Sequence, residues 1–476
     1  KAKVLQLLGR DAEGEAYVQA TLELDPFAYA SGLLLPDRKE VLTRMGDRVS
    51  SFLEAAQLFM LGGWYREAYE LLDHCPAASG ALAYYQAYCL KRLGEDPKKV
   101  LATASSLGWG APFAHTLEDM LVLSDALLEN PKDSEAAYQL GNLLYDKRRY
   151  EEAVEAWEQS RESNPKVPMV WRNLALAYFN KQGKAEKALE ALTKAFSLDE
   201  SDSRICMELD QLHKKVGRTP QQRLSFLSAH LDLVSQRDDL YTEYVALLNL
   251  TGACEQAYEM IMGHTFHPWE GGEGKITREY VLCMSNLAFQ ALQKRKAEKA
   301  RFLLQKALVF PANLGEGKLE GQKDNDLYYL LGRAERMLGN EEQAVAYFTQ
   351  AAIGSEEPAN MMYYNDQPAD MIYFQALARR ALGDEQGAQR RLQCLVDYAQ
   401  MHQDDHITID YFAVSLPDLQ IFEDDLDRSN QANCFYLLGL GWCGLGKQEE
   451  GRRALQKALA LVPCHQGAGN RLGMLE

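Results

Sequence analysis

Two glycine-rich tetrapeptides that end in lysine are the residues of this sequence best suited, by type and spacing, to hold a phosphate. Gly272–Lys275 and Gly315–Lys318 share the letters GEGK. A phosphate-binding loop of this kind has the pattern G-x-x-x-x-G-K followed by Ser or Thr. Trp269 and Ala312 occupy the place of its first glycine, and neither lysine is followed by a hydroxyl residue. The GEGK stretches therefore predict no nucleotide site and remain candidates for a binding loop or a turn.

A second chemical pattern is the stretch HQDDH. His402 and His406 stand four residues apart with Asp404 and Asp405 between them. On a helix this spacing puts two imidazoles on one face, where they could hold a metal ion. No third ligand accompanies them, so we favour a solvated polar loop or helix end. The sequence contains no nucleophile motif of the G-x-S-x-G kind, and we predict no catalytic residue, metal or cofactor.

Composition narrows the class of partner. Acidic residues outnumber basic ones by 68 to 51, for a net charge of -17, and such a chain is poorly suited to neutralising nucleic-acid phosphates. The absence of an apolar run near twenty residues predicts no membrane span. The cysteines lack CxxC spacing, which predicts free, largely buried thiols and a cytoplasmic location: Cys75, Cys89, Cys206, Cys254, Cys283, Cys394, Cys434, Cys443 and Cys464.

The elements that position these residues are indicated by an internal repeat. The segment 134–166 aligns with 167–200, so that Leu140 matches Leu174, 34 residues further on. Small residues such as Gly141 recur where two antiparallel helices would cross closely, and large ones such as Trp157 recur between them. Each unit is therefore predicted to be one helical hairpin.

The repeated pattern resembles the tetratricopeptide repeat family. Trp171, Leu174, Ala175, Tyr178 and Ala188 fit that family's pattern, and similar segments recur through most of the chain. The resemblance implies an all-α fold, a right-handed superhelical solenoid of tetratricopeptide-type hairpins with a concave groove. Peptide capture in the groove is the family's usual function.

We expect three regions along the chain. Residues 1–47 form a truncated first repeat with an irregular helical connection, 48–262 an N-terminal array, and 263–476 a C-terminal array with inserted loops. The sequence begins with Lys1 rather than Met. We therefore expect a processed or truncated product whose missing N-terminal part could carry another domain.

The groove itself can be compared with that of family members that bind chaperone tails through a carboxylate clamp. Asn142 and Asn173 match two clamp positions, and Arg204 could replace a lysine of the third repeat. Tyr138 stands at the first lysine position, however, and Glu208 stands where an arginine is expected. A carboxylate would meet a negative charge there, so a chaperone-tail receptor is disfavoured.

Four insertions interrupt the repeat period in the C-terminal half, each after the second helix of a hairpin. Equivalent junctions of a solenoid stack along one edge, so these loops should be neighbours. Stretches such as HPWEGGEGK, NLGEGKL, YYNDQP and IDYFAVSLPD resemble the C-terminal repeat region of a bacterial tetratricopeptide family. Its members often carry an N-terminal β-rich domain of unknown function, and the resemblance implies an association with carbohydrate-utilisation genes.

The leading hypothesis is a non-enzymatic scaffold that binds a protein or peptide, with no nucleic acid or membrane partner. The alternative is a small polar, carbohydrate-like ligand held by the inserted loops, whose aromatic faces and polar groups are typical of such sites. An equally weighted interpretation is that these residues only plug the edge of the solenoid. The predicted ligand-binding residues are His267, Trp269, Glu270, Glu273, Lys275, Asn313, Glu316, Lys318, Tyr363, Tyr364, Asn365, Asp366, His402, Asp405, Asp410 and Tyr411.

Overall fold

A computed structural model describes residues 1–110, 113–269, 271–359, 366–408 and 421–475. Within these ranges the chain forms 27 α-helices and one short 3-10 helix, and it contains no β-strand. The chain divides into two compact units, unit 1 (residues 1–198) and unit 2 (residues 199–476). The prediction of an all-α solenoid of helical hairpins is confirmed, whereas the predicted grouping of repeats into 48–262 and 263–476 stays a prediction.

Unit 1 contains thirteen helices. They are α1 (Ala2–Leu7), α2 (Asp11–Leu24), α3 (Tyr29–Gly32), α4 (Lys39–Met45), α5 (Val49–Leu61), α6 (Tyr65–Asp73), α7 (Gly80–Arg92), α8 (Lys98–Leu107), α9 (Leu117–Glu129), α10 (Ser134–Asp146), α11 (Tyr150–Ser163), α12 (Pro168–Asn180) and α13 (Ala185–Leu198). Hairpins form between α5 and α6, α7 and α8, α10 and α11, and α12 and α13.

Unit 2 contains the other fourteen. They are α14 (Ser203–Lys215), α15 (Pro220–Ser228), α16 (Leu231–Val234), α17 (Asp238–Leu250), α18 (Cys254–Met262), α19 (Lys275–Gln293), α20 (Ala297–Ala307), α21 (Asn325–Met337), α22 (Glu341–Ala351), α23 (Met371–Ala381), α24 (Glu385–His402), α25 (Leu426–Gly444), α26 (Gln448–Leu461) and α27 (Gln466–Leu475), and the 3-10 helix Ala312–Leu314 precedes α21.

Local sequence explains where many of the helices begin. Asp133 starts α10 by accepting a hydrogen bond from the Ala136 amide at 3.1 Å, and Asp202 starts α14 in the same way. Such side chains satisfy amides that have no partner within the helix. Thr116 and Asp119 form a capping box at α9.

The hairpins pack closely because a small residue on the first helix faces a large one on the second. A Cβ atom at Gly141 would lie 2.4 Å from Cδ1 of Trp157, and one at Gly332 would lie 2.6 Å from Cε1 of Phe348. These distances are far below an ordinary contact, so the ring of the second helix fits only against a bare backbone. The small and large positions of the sequence repeat thus have the predicted packing role.

In unit 2 the two helices of each hairpin differ in position. The first helices α17, α19, α21, α23 and α25 contact one another in series, whereas the second helices α18, α20, α22, α24 and α26 contact one another far less. First helices that crowd together lie on the inside of a curved stack. We call the side of unit 2 formed by these five first helices its inner face.

The cysteines lie as predicted. All nine are free thiols, and six of them are buried. Burial raises the pKa of Cys89 and of Cys206 to about 12, so these thiols are unreactive members of the core. Among the described residues, no helix is long and apolar enough to cross a membrane.

Candidate functional site

The two GEGK loops lie side by side in unit 2, as their equivalent places in the repeat predict. The Gly274 amide donates to Oε2 of Glu316 at 2.7 Å, and the Phe266 amide donates to the Asn313 carbonyl at 2.8 Å. Nδ2 of Asn313 donates to the carbonyls of Ile261 and His264, each at 2.8 Å. The side chain of Asn313 therefore connects the second loop to the end of α18 by hydrogen bonds.

The loops nevertheless differ in conformation, although they follow equivalent helices of the repeat. In the first copy the third residue, Gly274, has a φ of +75° and caps the start of α19. In the second copy the first residue, Gly315, has a φ of +73° and ends the 3-10 helix. Gly315 also touches the first loop, where a Cβ would lie 2.5 Å from the Phe266 carbonyl oxygen. The same four letters thus serve two different turns.

Asp238 holds the first GEGK loop in place. The sequence patterns did not predict this role. Oδ1 of Asp238, at the start of α17, lies 2.7 Å from Nε2 of His264, and its Oδ2 accepts from the His267 amide at 2.7 Å. Burial opposes the charge of Asp238, but the hydrogen bonds from the two histidines hold its pKa below the usual range. His264 also stacks on Tyr241 with ring centroids 4.2 Å apart. No sequence motif links the start of one helix to a loop one hairpin later, so the sequence carries no pattern from which this contact could be predicted.

The carboxylates of the two loops lie near each other. Burial and the nearby charge of Glu273 raise the pKa of Glu316, although the Gly274 amide favours its ionised form. Oε2 of Glu273 is buried and has no hydrogen-bond partner among the described residues. Nζ of Lys318 is instead held by Oδ2 of Asp324 at 2.7 Å and by the Leu308 carbonyl at 3.3 Å.

Trp269 packs within its own loop. A Cβ at Gly272 would lie 1.9 Å from the indole of Trp269, and the Gly272 amide donates to the Trp269 carbonyl at 2.9 Å. The indole therefore covers the loop backbone. His267, Asn313 and Lys318 likewise have partners within unit 2, which is the arrangement that a structural plug requires.

The other predicted loop residues fall into two groups. His402 and Asp405 bond to each other, Nδ1 to Oδ2, at 2.7 Å, and His406 pairs with Asp427 at 2.9 Å. In the described part of the chain, no three His, Cys, Asp or Glu side chains are grouped to hold a metal ion. Outside the described residues lie Glu270, Tyr363, Tyr364, Asn365, Asp410 and Tyr411, whereas Asp366 lies just within them.

On the first helices of unit 1, the predicted groove residues meet. Asn173 Nδ2 on α12 donates to Asn142 Oδ1 on α10 at 2.9 Å, and Arg172 Nη1 donates to Asn173 Oδ1 at 3.2 Å. The indole Nε1 of Trp157 donates to the same Asn142 oxygen at 3.1 Å. Burial raises the pKa of the adjacent Tyr138, and both asparagines are half-buried. We call Tyr138, Asn142, Arg172 and Asn173 the amide cluster.

The third predicted groove residue behaves differently. Arg204, on α14 of unit 2, donates through Nε to Oε1 of the fully buried Glu208 at 3.0 Å. The guanidinium of Arg204 is therefore bound by Glu208, the residue that stands where a carboxylate clamp has an arginine. The prediction against a carboxylate clamp stays a prediction.

The inner face of unit 2 is covered by the last helix of the chain. Nε2 of Gln466, at the start of α27, donates to Glu279 of α19 at 2.7 and 2.9 Å, and Arg471 donates to the hydroxyl of Tyr373 on α23. The ring of His465 lies 5.1 Å from that of Tyr436 on α25. Helix α27 thus touches first helices from separate hairpins of unit 2. The sequence offered only the small residues of this segment as a signal.

Comparison with known proteins supports the repeat assignment. Residues 138–203 and residues 326–352 each match a family model described as a tetratricopeptide repeat. The chain therefore contains tetratricopeptide repeats in both units.

Solved structures give weaker similarities. A tetratricopeptide repeat protein from Parabacteroides merdae ATCC 43184 is 17% identical over 61% of this chain and 99% of that chain, with a TM-score of 0.26. YrrB, a TPR protein with an unusual peptide-binding site, is 21% identical over 43% of this chain and 87% of its own, at 0.20. Naa15/Naa10 bound to HypK-THB reaches 0.36 at 14% identity, covering 72% and 55%. These scores are too low to support an argument about function.

Proposed function

We propose that this chain is a non-enzymatic scaffold that binds a peptide or protein segment, and that the amide cluster on α10 and α12 is its contact site. The observation that carries the proposal is the bond between Asn142 and Asn173 on the first helices of consecutive hairpins. Each side-chain amide offers donors and an acceptor, as a peptide backbone does. Two such amides on the first helices of consecutive hairpins could bind the backbone of an extended partner.

The surrounding groups favour a partner that is not simply an acidic tail. Arg172 is the only cation of the amide cluster and already donates to Asn173. Tyr138 contributes an aromatic surface that is only partly buried. Recognition would therefore rest on backbone hydrogen bonds and aromatic contact rather than on charge neutralisation.

A phage-displayed library of short random peptides, selected on the full chain, tests this proposal. Selected peptides should lose about tenfold or more in affinity for the double variant Asn142→Ala/Asn173→Ala, because such a loss corresponds to about 1.4 kcal/mol of lost hydrogen bonding. The matched control, Glu190→Ala/Lys194→Ala, changes two exposed residues on the second helix α13 and should leave affinity unchanged. Peptides that bind both variants equally, or a selection that enriches nothing, would refute the assignment.

A second candidate function is a small polar, carbohydrate-like ligand at the GEGK loops. One observation favours it: the buried Oε2 of Glu273, which has no partner in the described part of the chain, lies close to a second carboxyl group, that of Glu316. A ligand hydroxyl could donate to that oxygen. The internal packing of Trp269 favours the plug interpretation instead.

These two interpretations predict opposite results. If the loops hold a sugar, a glycan panel should raise the melting temperature of the unaltered chain. Trp269→Ala and Glu273→Ala should then abolish that rise with little loss of helical content. If Trp269 is a plug, no glycan acts and Trp269→Ala alone lowers the melting temperature.

We further propose a cytoplasmic location. Its support is the set of nine free thiols, since oxidising compartments favour disulfides in exposed or paired cysteines. Thiol counting on the protein isolated without reductant tests this, and several disulfides would contradict it.

A further inference from the structure

Helix α27 packs on α26, the second helix of the last hairpin, and also reaches first helices of the inner face of unit 2. Gly469 lies against α17 and Gly467 against α25. Gln466 bonds to α19, and Arg471 bonds to α23. Just before it, the Cys464 thiol lies 3.4 Å from Nη1 of Arg223, which follows the first helix of this unit. The end of the chain therefore returns to the beginning of unit 2.

The backbone of α27 approaches its neighbours too closely for side chains. A Cβ at Gly467 would lie 2.6 Å from Cζ of Tyr436, and one at Gly469 would lie 2.5 Å from Cδ1 of Leu250. Gly473, in the same helix, has no atom within 4 Å of such a Cβ. The glycines that face the first helices thus match the shape of the inner face, and the third glycine does not contribute to that match.

Docking, not local propensity, holds this segment helical. Three of the ten residues of α27 are glycines, and each costs about 1 kcal/mol relative to alanine within a helix. An isolated helix of this length is marginal in water even with favourable residues. Its fit is also incomplete, because Nδ2 of Asn470 and Nε of Arg471 are buried without a partner among the described residues.

The face that α27 meets contains carboxylates, and Arg278 of α19 lies near two of them, Glu279 and Asp370. Glu279 accepts from Gln466, and Asp370 accepts from the Tyr436 hydroxyl at 3.0 Å. Burial raises the pKa of Asp326 to about 7, with the charges of Asp370 and Asp324 adding to this effect. The cation of α27 is Arg471, whose guanidinium lies 4.8 Å from the centre of the Tyr373 ring. A single Arg or Lys placed over the Tyr373 ring is therefore part of what this face accepts.

We propose that residues 466–475 are a tethered ligand of the inner face of unit 2, and that this face binds a partner segment of the same chemistry once α27 is released. The partner segment is short, helical when bound, bare along one side through Gly or Ala, and carries one Arg or Lys. This inference rests on the proposed scaffold function but assigns it a second surface, together with the device that blocks that surface.

A labelled synthetic peptide of residues 465–476 tests the proposal against the full chain, by fluorescence anisotropy. In the unaltered chain the tethered copy competes at an effective concentration on the order of millimolar, so the peptide should bind weakly. Gly467→Ala in the chain should loosen the tethered helix and strengthen binding of the unaltered peptide by about tenfold or more. The matched control Gly473→Ala lies in the same helix, meets no neighbouring atom and should not strengthen binding of the peptide.

Two further measurements keep the result decisive. Arg471→Ala in the chain is a second releasing variant, and a peptide carrying Arg471→Glu should bind none of the chains. Circular dichroism confirms that each variant is folded. If Gly467→Ala and Arg471→Ala chains are folded and neither gains affinity for the peptide, the tethered-ligand inference is wrong.

The inference can fail separately from the scaffold assignment in unit 1. The peptide should bind the Gly467→Ala chain equally well when Asn142→Ala and Asn173→Ala are added. Loss of library-selected peptides without loss of this peptide assigns the two ligands to two surfaces. Equal loss of both in that background would overturn the assignment of this peptide to unit 2.

Discussion

The first helices of unit 1 and unit 2 are built on the same hairpin but present their faces differently. In unit 1, Asn142 and Asn173 are half-buried and bond to each other across α10 and α12. In unit 2, the corresponding side of α17, α19, α23 and α25 is crossed by α27. The repeat therefore decides which helices form the face, whereas a non-repeat segment decides whether that face is open.

The two units also satisfy their buried polar groups differently. Unit 1 pairs tyrosines with carboxylates, such as Tyr84 with Asp133 at 2.9 Å and Tyr85 with Asp119 at 2.7 Å. Unit 2 also has a pair of this kind, Tyr436 with Asp370, and adds an ion network in which Arg223 bonds to Asp210 and to Glu243 at 2.5 and 2.7 Å. A neutral hydroxyl costs less to bury than a guanidinium, so unit 2 is the more sensitive of the two to loss of a single partner.

The largest expected effect is the removal of that guanidinium. Arg223→Ala should destabilise the chain by about 3–5 kcal/mol, because it leaves the buried carboxylate of Asp210 without its cation, whereas Glu243 keeps Lys214. Urea unfolding measures the loss, and hydrogen exchange should localise it to unit 2. Arg66→Ala breaks an exposed pair with Glu95 in unit 1 and serves as the control, with little change expected. If amide protection from hydrogen exchange fell equally in the two units, the expected difference in their sensitivity would be wrong.

A shared packing rule gives the next largest effect. Gly141→Ala in unit 1 and Gly332→Ala in unit 2 should each cost about 1–3 kcal/mol, because the added methyl group overlaps Trp157 or Phe348. Thermal or urea unfolding of both variants compares the units directly. Gly473→Ala, which meets no neighbouring atom, is the control and should be neutral or slightly stabilising. Tolerance of alanine at either buried glycine would mean that the hairpins of that unit pack loosely.

The anchor of the first GEGK loop should have a smaller, local effect. Asp238→Asn removes the carboxylate that binds His264 and the His267 amide, which should cost about 1 kcal/mol. Hydrogen exchange should quicken in residues 263–269 while the amide protection of α10 and α12 stays constant. Unchanged exchange in the loop would show that Asn313 alone is sufficient to hold it.

The smallest effect concerns pH and the buried carboxyl group of Asp326 on α21. Asp326 has a folded-state pKa of about 7, above its ordinary 3.8, so the folded chain holds this proton more tightly than the unfolded one. Its contribution to stability therefore falls as the pH rises from about 4 to about 7. Asp326→Asn should raise the melting temperature more at pH 8 than at pH 5. Asp324 and Asp370 are the acidic neighbours, and Glu190→Gln on α13 is the control, for which equal shifts at both pH values are expected.

Much of the loop site could be predicted from sequence, because equivalent junctions of a repeat must stack. That reasoning placed the two GEGK stretches together, and Gly274 does bond to Glu316. It could not reveal that Gly274 and Gly315 adopt positive φ at different places in the same tetrapeptide. Nor could it identify Asp238, because a hydrogen bond between a helix start and a distant loop leaves no periodic pattern. The ligand itself stays a prediction.

The sequence by itself determined the helical hairpin, since the alternation of Gly141 with Trp157 and of Gly332 with Phe348 recurs at fixed spacing and each pair packs locally. Tertiary structure alone decided how the first-helix faces are used. Gln466 bonds to Glu279, 187 residues away along the chain, and Arg471 bonds to Tyr373, 98 residues away. Local patterns report contacts within a hairpin or between neighbours, whereas contacts at such separations exist only after the curved stack has brought its ends together.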